Sequence, residues 1–248
     1  MIENSLRQLY LNKLGVINNL KKVEQFRTEF LGNVSHELRT PIFAMQGFLE
    51  TLLNGALEDN KVNRTFIEKT YKHSQNLNNL LNDLIDISMI ESGKMRMSFR
   101  YFDIGEFLES VKQENLNLAK RKNLDLKLNL FTEKVLVFGD QSRLRQVMNN
   151  LIQNAIKYTE NGFVEISGKD LDNKIEISVS DSGIGIPEED IHRIFERFYR
   201  VDKNRSKEEG GTGLGLAIVK HILDAHGENI IVESKIGKGS KFSFCLRK

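Results

Sequence analysis

Apolar residues recur at three- and four-residue steps through the first third of the chain and at alternate positions through much of the remainder. Phe30, Val34, Leu38, Ile42 and Met45 keep the helical period, which predicts an amphipathic helix reaching about Leu53. Asn54-Gly55 signals a turn. A second helix is predicted from Asn60 to near Ser92-Gly93, with Phe66, His73, Leu77, Leu80, Leu81, Leu84 and Ile87 along its seam. Two helices joined by a short turn form a hairpin, which alone buries too little apolar surface; pairing with a second copy into a four-helix bundle is the expected state. Upstream, Leu9, Val16, Val23 and Phe30 stand at heptad spacing, with Leu6, Leu20 and Phe26 as partial partners. Asn12, Lys13, Asn18 and Asn19 weaken that seam.

Beyond Gly93 the period changes. Alternating runs over Leu124–Phe131, Val135–Phe138, Phe163–Ser167, Lys174–Val179, Ile230–Ser234 and Ser240–Leu246 predict strands. Helical spacing covers about Ile104–Lys120, Gln141–Tyr158, Glu188–Phe198 and Leu214–His226. The expected organisation is multidomain: an N-terminal helix over residues 1–27, an all-α hairpin over 28–95, and an α+β sandwich over 96–248, with the boundary near Gly93–Ser98.

Composition narrows the function classes. The 248 residues carry a formal charge of +2 with 28% charged side chains, which gives no argument for binding nucleic acid or a membrane surface. Cys245 is the single cysteine, so no intrachain disulfide forms; in an alternating terminal strand it is expected as a small buried residue. No apolar run is long enough to span a bilayer and no signal peptide opens the chain, so the expectation for the chain as written is a reducing cytoplasm.

Five stretches carry candidate chemistry. In FLGNVSHELRTP, residues 30–41, helical spacing puts His36, Arg39 and Thr40 on a common side with Glu37 adjacent, and Pro41 removes a backbone donor and strains the turn before it. His73, on the second seam, has no acidic neighbour and is expected packed or half-exposed. In RLRQVMNNLIQNAIKYT, Asn150, Asn154 and Lys157 share a face, with Tyr158 next to them; amide oxygens suit Mg²⁺ and a lysine suits phosphate. DSGIGI at 181–186 follows a strand with an acidic acceptor and two glycines, able to bond an exocyclic amine while the backbone closes over a flat base. In IFERFYRVD, Phe195 and Phe198 can cap an apolar base pocket and Arg200 can reach phosphates. GGTGLGLA at 210–217 opens a helix whose N-terminus favours negative charge, and the charged segment DKNRSKEE before it suits a lid. No G-x-x-x-x-G-K-[ST], dinucleotide G-x-G-x-x-G, HRD or DFG element occurs.

Taken in order, SHELRTP, the asparagine helix, DSGIGI, the phenylalanine stretch and GTGLG resemble the H, N, G1, F and G2 boxes of two-component sensor histidine kinases, from about residue 24 to the C-terminus. The resemblance implies a homodimeric phosphotransfer domain and an ATP-binding domain, using ATP and Mg²⁺. It also implies a response regulator receiver domain as partner and a full-length parent anchored in the membrane, with the weak N-terminal heptad as its signalling helix. By position, it implies His36 as phospho-acceptor, Glu37 as its base, and Thr40 as a water-orienting group for a regulator phosphatase activity. Asn154 would hold Mg²⁺. Asn150, Lys157, Tyr158, Asp181, Gly183, Gly185, Ile186, Phe195, Arg200, Gly211, Thr212, Gly213, Leu214 and Gly215 would bind ATP, with Asp181 reading the adenine amine. Ile42-Phe43-Ala44 and Gly239-Ser240 depart from the family's usual residues, neither where the inferred chemistry is expected. The alternatives are an ATPase of the chaperone or mismatch-repair branch, against which the histidine box argues, and an ATP-binding scaffold without phosphotransfer.

Overall fold

The computed structural model describes residues 2–130, 134–201 and 211–248; along the first helix the side chains of 2–12, 14, 16, 18–20, 22, 23, 26 and 27 are not described. The heptad side chains of Leu6, Leu9, Val16, Leu20, Val23 and Phe26, the end of the predicted strand at Phe131, and the predicted lid with Gly210 lie outside what the structure describes. The chain divides into two compact units, Met1–Leu81 and Asn82–Lys248. The division falls inside the second helix, ahead of the linker at Gly93–Ser98 where sequence composition changes.

In the first unit, helix α1 (Ile2–Thr51) runs unbroken through Pro41. Pro41 brings no backbone donor to the helical ladder, yet the helix is not interrupted there. A wide turn at Leu52–Ala56 ends α1, with Gly55 at φ +112°, a conformation that favours glycine. Helix α2 (Asn63–Glu91) begins three residues later than the apolar pattern predicts. The delay comes from Asp59, whose carboxylate accepts the Lys61 amide at 2.9 Å and whose carbonyl accepts those of Val62 and Asn63. On the seam, Phe48 stacks against Phe66 and lies tilted against half-exposed His73, with ring centroids 5.7 and 5.9 Å away. Leu31, Ile42, Phe43, Leu49, Leu53, Ile67, Tyr71 and Leu81 stay exposed.

The second unit is the expected sheet covered by helices. Its elements are β1 (Arg100–Asp103), α3 (Ile104–Arg121), β2 (Asp125–Asn129), β3 (Leu136–Gly139), α4 (Gln141–Tyr158), β4 (Phe163–Leu171), β5 (Lys174–Asp181), α5 (Gly215–Ala225), β6 (Ile231–Lys235) and β7 (Gly239–Arg247). The strand order is β1-β3-β7-β5-β4-β2, with β6 also paired to β7; β2 and β4 are parallel and the other pairs antiparallel. Strand β1 was not foreseen from sequence.

Local chemistry starts the two long helices. Asp103 caps α3 through the Glu106 amide, and Asp140 caps α4 through the Ser142 and Arg143 amides. The same Asp140 carboxylate takes the Ser98 amide at 2.7 Å, and these three amides hold its pKa below the ordinary carboxylate value despite burial. The core forms where Phe107, Leu108 and Val111 of α3, Leu144, Met148, Leu151 and Ile152 of α4, and Ile218, Val219 and Ile222 of α5 meet Ile166, Ile175, Ile177, Phe244 and Leu246 of the sheet. Cys245 is half-buried rather than enclosed, and burial pushes its thiol pKa up.

The helix predicted over Glu188–Phe198 is absent. That segment makes one 3₁₀ turn at Glu188–Asp190 and then irregular turns. The Tyr199 hydroxyl donates to the Asp190 carboxylate, the Arg193 guanidinium lies 4.2 Å from the Tyr199 ring, and Phe198 adopts φ +61° with its amide on the Gly213 carbonyl at 2.9 Å. A bond to a distant glycine outweighs the local helical period.

Candidate nucleotide site and phospho-acceptor helix

In the first unit His36 is exposed and Glu37 half-buried. The exposed Thr40 hydroxyl donates to the His36 carbonyl at 3.2 Å, which engages its proton within the helix.

In the second unit, the predicted residues of α4, the end of β5 and the turn before α5 converge. On α4, the Asn150 amide donates to the Gly215 carbonyl at 3.3 Å, tying the asparagine face to the start of α5. Asn154 lies one turn further on, half-buried, and its carboxamide has no hydrogen-bond partner among the described residues. The Lys157 ammonium lies 5.1 Å from the Tyr158 ring and only 2.4 Å from where a Cβ on Gly211 would stand. Any side chain at 211 would therefore displace that ammonium from beside the glycine turn.

Asp181 closes β5. Its carboxylate accepts the Gly183 amide at 2.8 Å and the Ser240 amide, while burial, the largest influence, raises its pKa above the ordinary carboxylate value. Both glycines of DSGIGI sit against backbone: a Cβ on Gly183 would lie 2.4 Å from the Tyr158 carbonyl oxygen, and one on Gly185, at φ +72°, 2.2 Å from that of Lys235. The Ile184 amide bonds to the Tyr158 carbonyl at 3.3 Å, and the Ile186 amide to the Ser234 hydroxyl at 2.8 Å. Phe195 is half-buried, and half-buried Phe198 packs against Gly213, where a Cβ would lie 2.8 Å from the Phe198 Cα. Arg200 is half-buried nearby in sequence. Leu214 is fully buried and precedes α5, whose first turn lacks a side-chain cap, so its amides are suited to an anion.

Two parts of the site escaped the sequence reading. Gly239-Ser240, expected to lie away from the chemistry, touches it directly. The Ser240 amide bonds to Asp181, the Ser240 hydroxyl pairs with Ser234 at 2.9 Å, and Gly239 backs onto the Asp181 carbonyl. The second is Asp83, in the α2 turns that belong to this unit. Its carboxylate accepts the Thr212 hydroxyl at 2.9 Å, and Thr212 in turn accepts the Leu214 amide at 3.2 Å. Asp83 carries no motif signal; an acidic residue on a polar helix face looks like solvated surface.

Burial pushes the Asp83 carboxyl from the ordinary 3.8 up to about 6; the Thr212 hydrogen bond opposes the rise and Asp86 adds to it. A raised acid pKa means that the folded chain bears the cost of ionisation above pH 6 and regains that stability as pH falls from 6 toward 3.8. Asp83→Asn is therefore expected to stabilise the second unit by about 2–3 kcal/mol near pH 7.5, with the gain shrinking through pH 6 and absent near pH 4. Denaturant titrations at these pH values, followed by circular dichroism, check it. A pH-independent difference would contradict the assignment.

A mixed sheet under three helices, with a carboxylate at a strand end and glycine turns around it, defines an ATPase-type nucleotide fold. Residues 139–248 match the histidine kinase-, DNA gyrase B- and HSP90-like ATPase family, and residues 26–93 match the His Kinase A (phospho-acceptor) domain. The sensor histidine kinase WalK of Bacillus subtilis (strain 168) is 38% identical over 233 residues, covering 93% of this chain and 38% of that protein. The chain thus spans well under half the length of that relative. Among solved structures, the Acinetobacter baumannii histidine kinase AdeS superposes with a TM-score of 0.69 at 28% identity, covering 86% of this chain and 97% of that one. The histidine kinase ThkA, in complex with the response regulator protein TrrA, superposes with a TM-score of 0.64 at 29% identity, covering 89% of this chain and 61% of that one. The chain belongs to the sensor histidine kinases: it carries their phospho-acceptor and ATPase domains in order. Among the described residues no helix is long and apolar enough to cross a membrane.

Proposed function

We propose that this chain is the catalytic core of a two-component sensor histidine kinase that transfers the γ-phosphoryl group of ATP to His36 and then to an aspartate of a response regulator. The observation that carries this reading is the pairing, in one chain, of an exposed His36 with Glu37 beside it on a helix and a carboxylate, Asp181, held at a strand end among glycine turns packed against backbone. The backbone amides of Gly183 and Ser240 that hold the Asp181 carboxylate suit an acceptor kept still for an exocyclic amine. Phe195 and Phe198 would flank the base, and Lys157, Arg200 and the Gly211–Gly215 turn would meet the phosphates. A Cβ at Gly211 would meet the Lys157 ammonium, so glycine there lets that cation stand beside the turn proposed to meet the phosphates. The Asn154 carboxamide, which has no hydrogen-bond partner among the described residues, fits a hard oxygen-seeking cation, and Mg²⁺ held there would offset charge on the phosphates.

At the acceptor, Glu37 would accept a hydrogen bond from the Nδ1–H of His36, fixing the tautomer in which Nε2 carries the free lone pair. In the transfer, the bond from Nε2 to phosphorus forms as the bond from the γ-phosphorus to the β–γ bridging oxygen breaks, releasing ADP. The exposed apolar residues of the hairpin support a second copy of this chain as partner, completing a four-helix bundle. The ThkA complex with TrrA supports a response regulator as the other partner. The length of the WalK relative supports a longer parent, for which a membrane anchor is the reading. Thr40, engaged with the His36 carbonyl, adds no independent support to a phosphatase activity.

Incubation with γ-labelled ATP and Mg²⁺ tests the reading: the chain should gain acid-labile, alkali-stable label, and a mere ATP-binding scaffold should not. Asn154→Ala should reduce the labelling rate by at least about 10²-fold, since it removes charge stabilisation of the transferring phosphoryl, with circular dichroism unchanged. Unaltered labelling would remove Asn154 from the metal's ligands.

A further inference from the structure

The last turns of α2, from Asn82 onward, pack within the second unit through an apolar anchor flanked by acidic side chains. Ile87 is fully buried. Asp86 takes the Arg143 guanidinium at 2.8 Å and the Gln146 amide at 2.6 Å, and Glu91 pairs with Arg197. Asp83 differs from these two. Among the described residues it has no cation within ion-pair distance, and its partner is the hydroxyl of Thr212, in the turn that would carry ATP's phosphates. The Thr212 proton is used on Asp83 and its oxygen accepts the Leu214 amide, so two groups of the phosphate turn are engaged inward. A half-buried carboxylate one hydroxyl away from that turn also repels a polyanion, with less screening than a surface charge.

We propose that Asp83 is an affinity-determining residue of the nucleotide site: its carboxylate occupies the Thr212 hydroxyl and sets a negative charge beside the phosphate turn, so that a polyphosphate binds only by displacing this contact. Asp83 acts through Thr212 and is a positioning residue, not a catalytic one. The inference rests on the ATP reading above. The test is calorimetric titration of the full chain, wild type and variants, with Mg²⁺·ATP and separately with adenosine, which has the base but no phosphate. Asp83→Asn keeps shape and an acceptor but loses the charge; Asp83→Ala loses both; Asp83→Glu keeps the charge. ATP should bind about tenfold more tightly to the Asn and Ala variants, while the Glu variant stays near wild type and adenosine affinity is unchanged throughout. Equal or weaker ATP binding by the Asn and Ala variants would overturn the proposal, as would a Glu variant as tight as the Asn one or a parallel gain for adenosine. Failure of every chain, wild type included, to bind ATP would instead overturn the nucleotide reading and this proposal with it.

Discussion

His36→Gln is expected to lower incorporation of label from γ-labelled ATP by at least about 10³-fold while ATP affinity stays within about twofold of wild type. Glutamine keeps a polar side chain of similar reach but offers no basic nitrogen lone pair. Affinity should persist because the residues assembled around the nucleotide site belong to α4, β5 and the turns before α5 and β7. The other four histidines make poor substitutes for distinct reasons. His73 lies tilted against the Phe48 ring and stands in sequence between Lys72 and Ser74, with no adjacent carboxylate to fix a tautomer. His226 has both ring nitrogens engaged: Nε2 accepts the Asp140 amide at 3.0 Å and Nδ1 donates to the Ile222 carbonyl at 2.7 Å. His221 is half-buried, and burial, with the Arg197 charge, lowers its pKa. His192 is exposed but stands between Ile191 and Arg193, again with no neighbouring acid. Phosphopeptide mapping alongside the rate measurement identifies the acceptor directly. Stable acid-labile label on the Gln variant would move the acceptor elsewhere.

The helical period and the strand alternation were strong enough in the sequence for each long element to be located within a few residues, because each has one face in a core. The failures share a cause. Strand β1 is the four-residue RYFD, too short for its alternation to register, and it exists because Tyr101 and Phe102 pair across to Phe138 and Val137. Residues 188–198 have helical spacing, but Phe198 is held at φ +61° by a bond to Gly213, which local propensity cannot anticipate. The site divides in the same way. Gly183, Gly185, Gly211 and Gly213 were legible because glycine clusters at a strand end and at a helix start mark close approach of other atoms. Asp83 and Gly239-Ser240 were not, since each matters only through a partner brought near by the fold: Thr212 for the first and Asp181 for the second. Pro41 makes the converse point. A strong local signal for strain is absorbed by a helix that continues through it.

Gly239→Ala should destabilise the second unit by more than about 3 kcal/mol and weaken ATP binding by at least about tenfold. Gly239 opens β7 at φ +91°, and a Cβ there would stand 1.9 Å from the carbonyl oxygen of Asp181 and 3.0 Å from the Cα of Ser182. Both obstacles are main chain, so no side-chain rotation relieves them; either β7 or the end of β5 must shift. A shift at either place moves the Asp181 carboxylate away from the Gly183 and Ser240 amides that hold it, and with it the acceptor proposed for the adenine amine. Stability and affinity should therefore fall together. Gly237→Ala is the control. Gly237 also has a positive φ, +74°, but a Cβ there meets nothing within 4 Å. It should cost only the backbone strain, about 1–2 kcal/mol, with ATP affinity unchanged. Denaturation midpoints and nucleotide titrations on the two variants separate the effects. If both lose stability equally and keep wild-type affinity, the close packing of Gly239 behind Asp181 does not position the adenine acceptor.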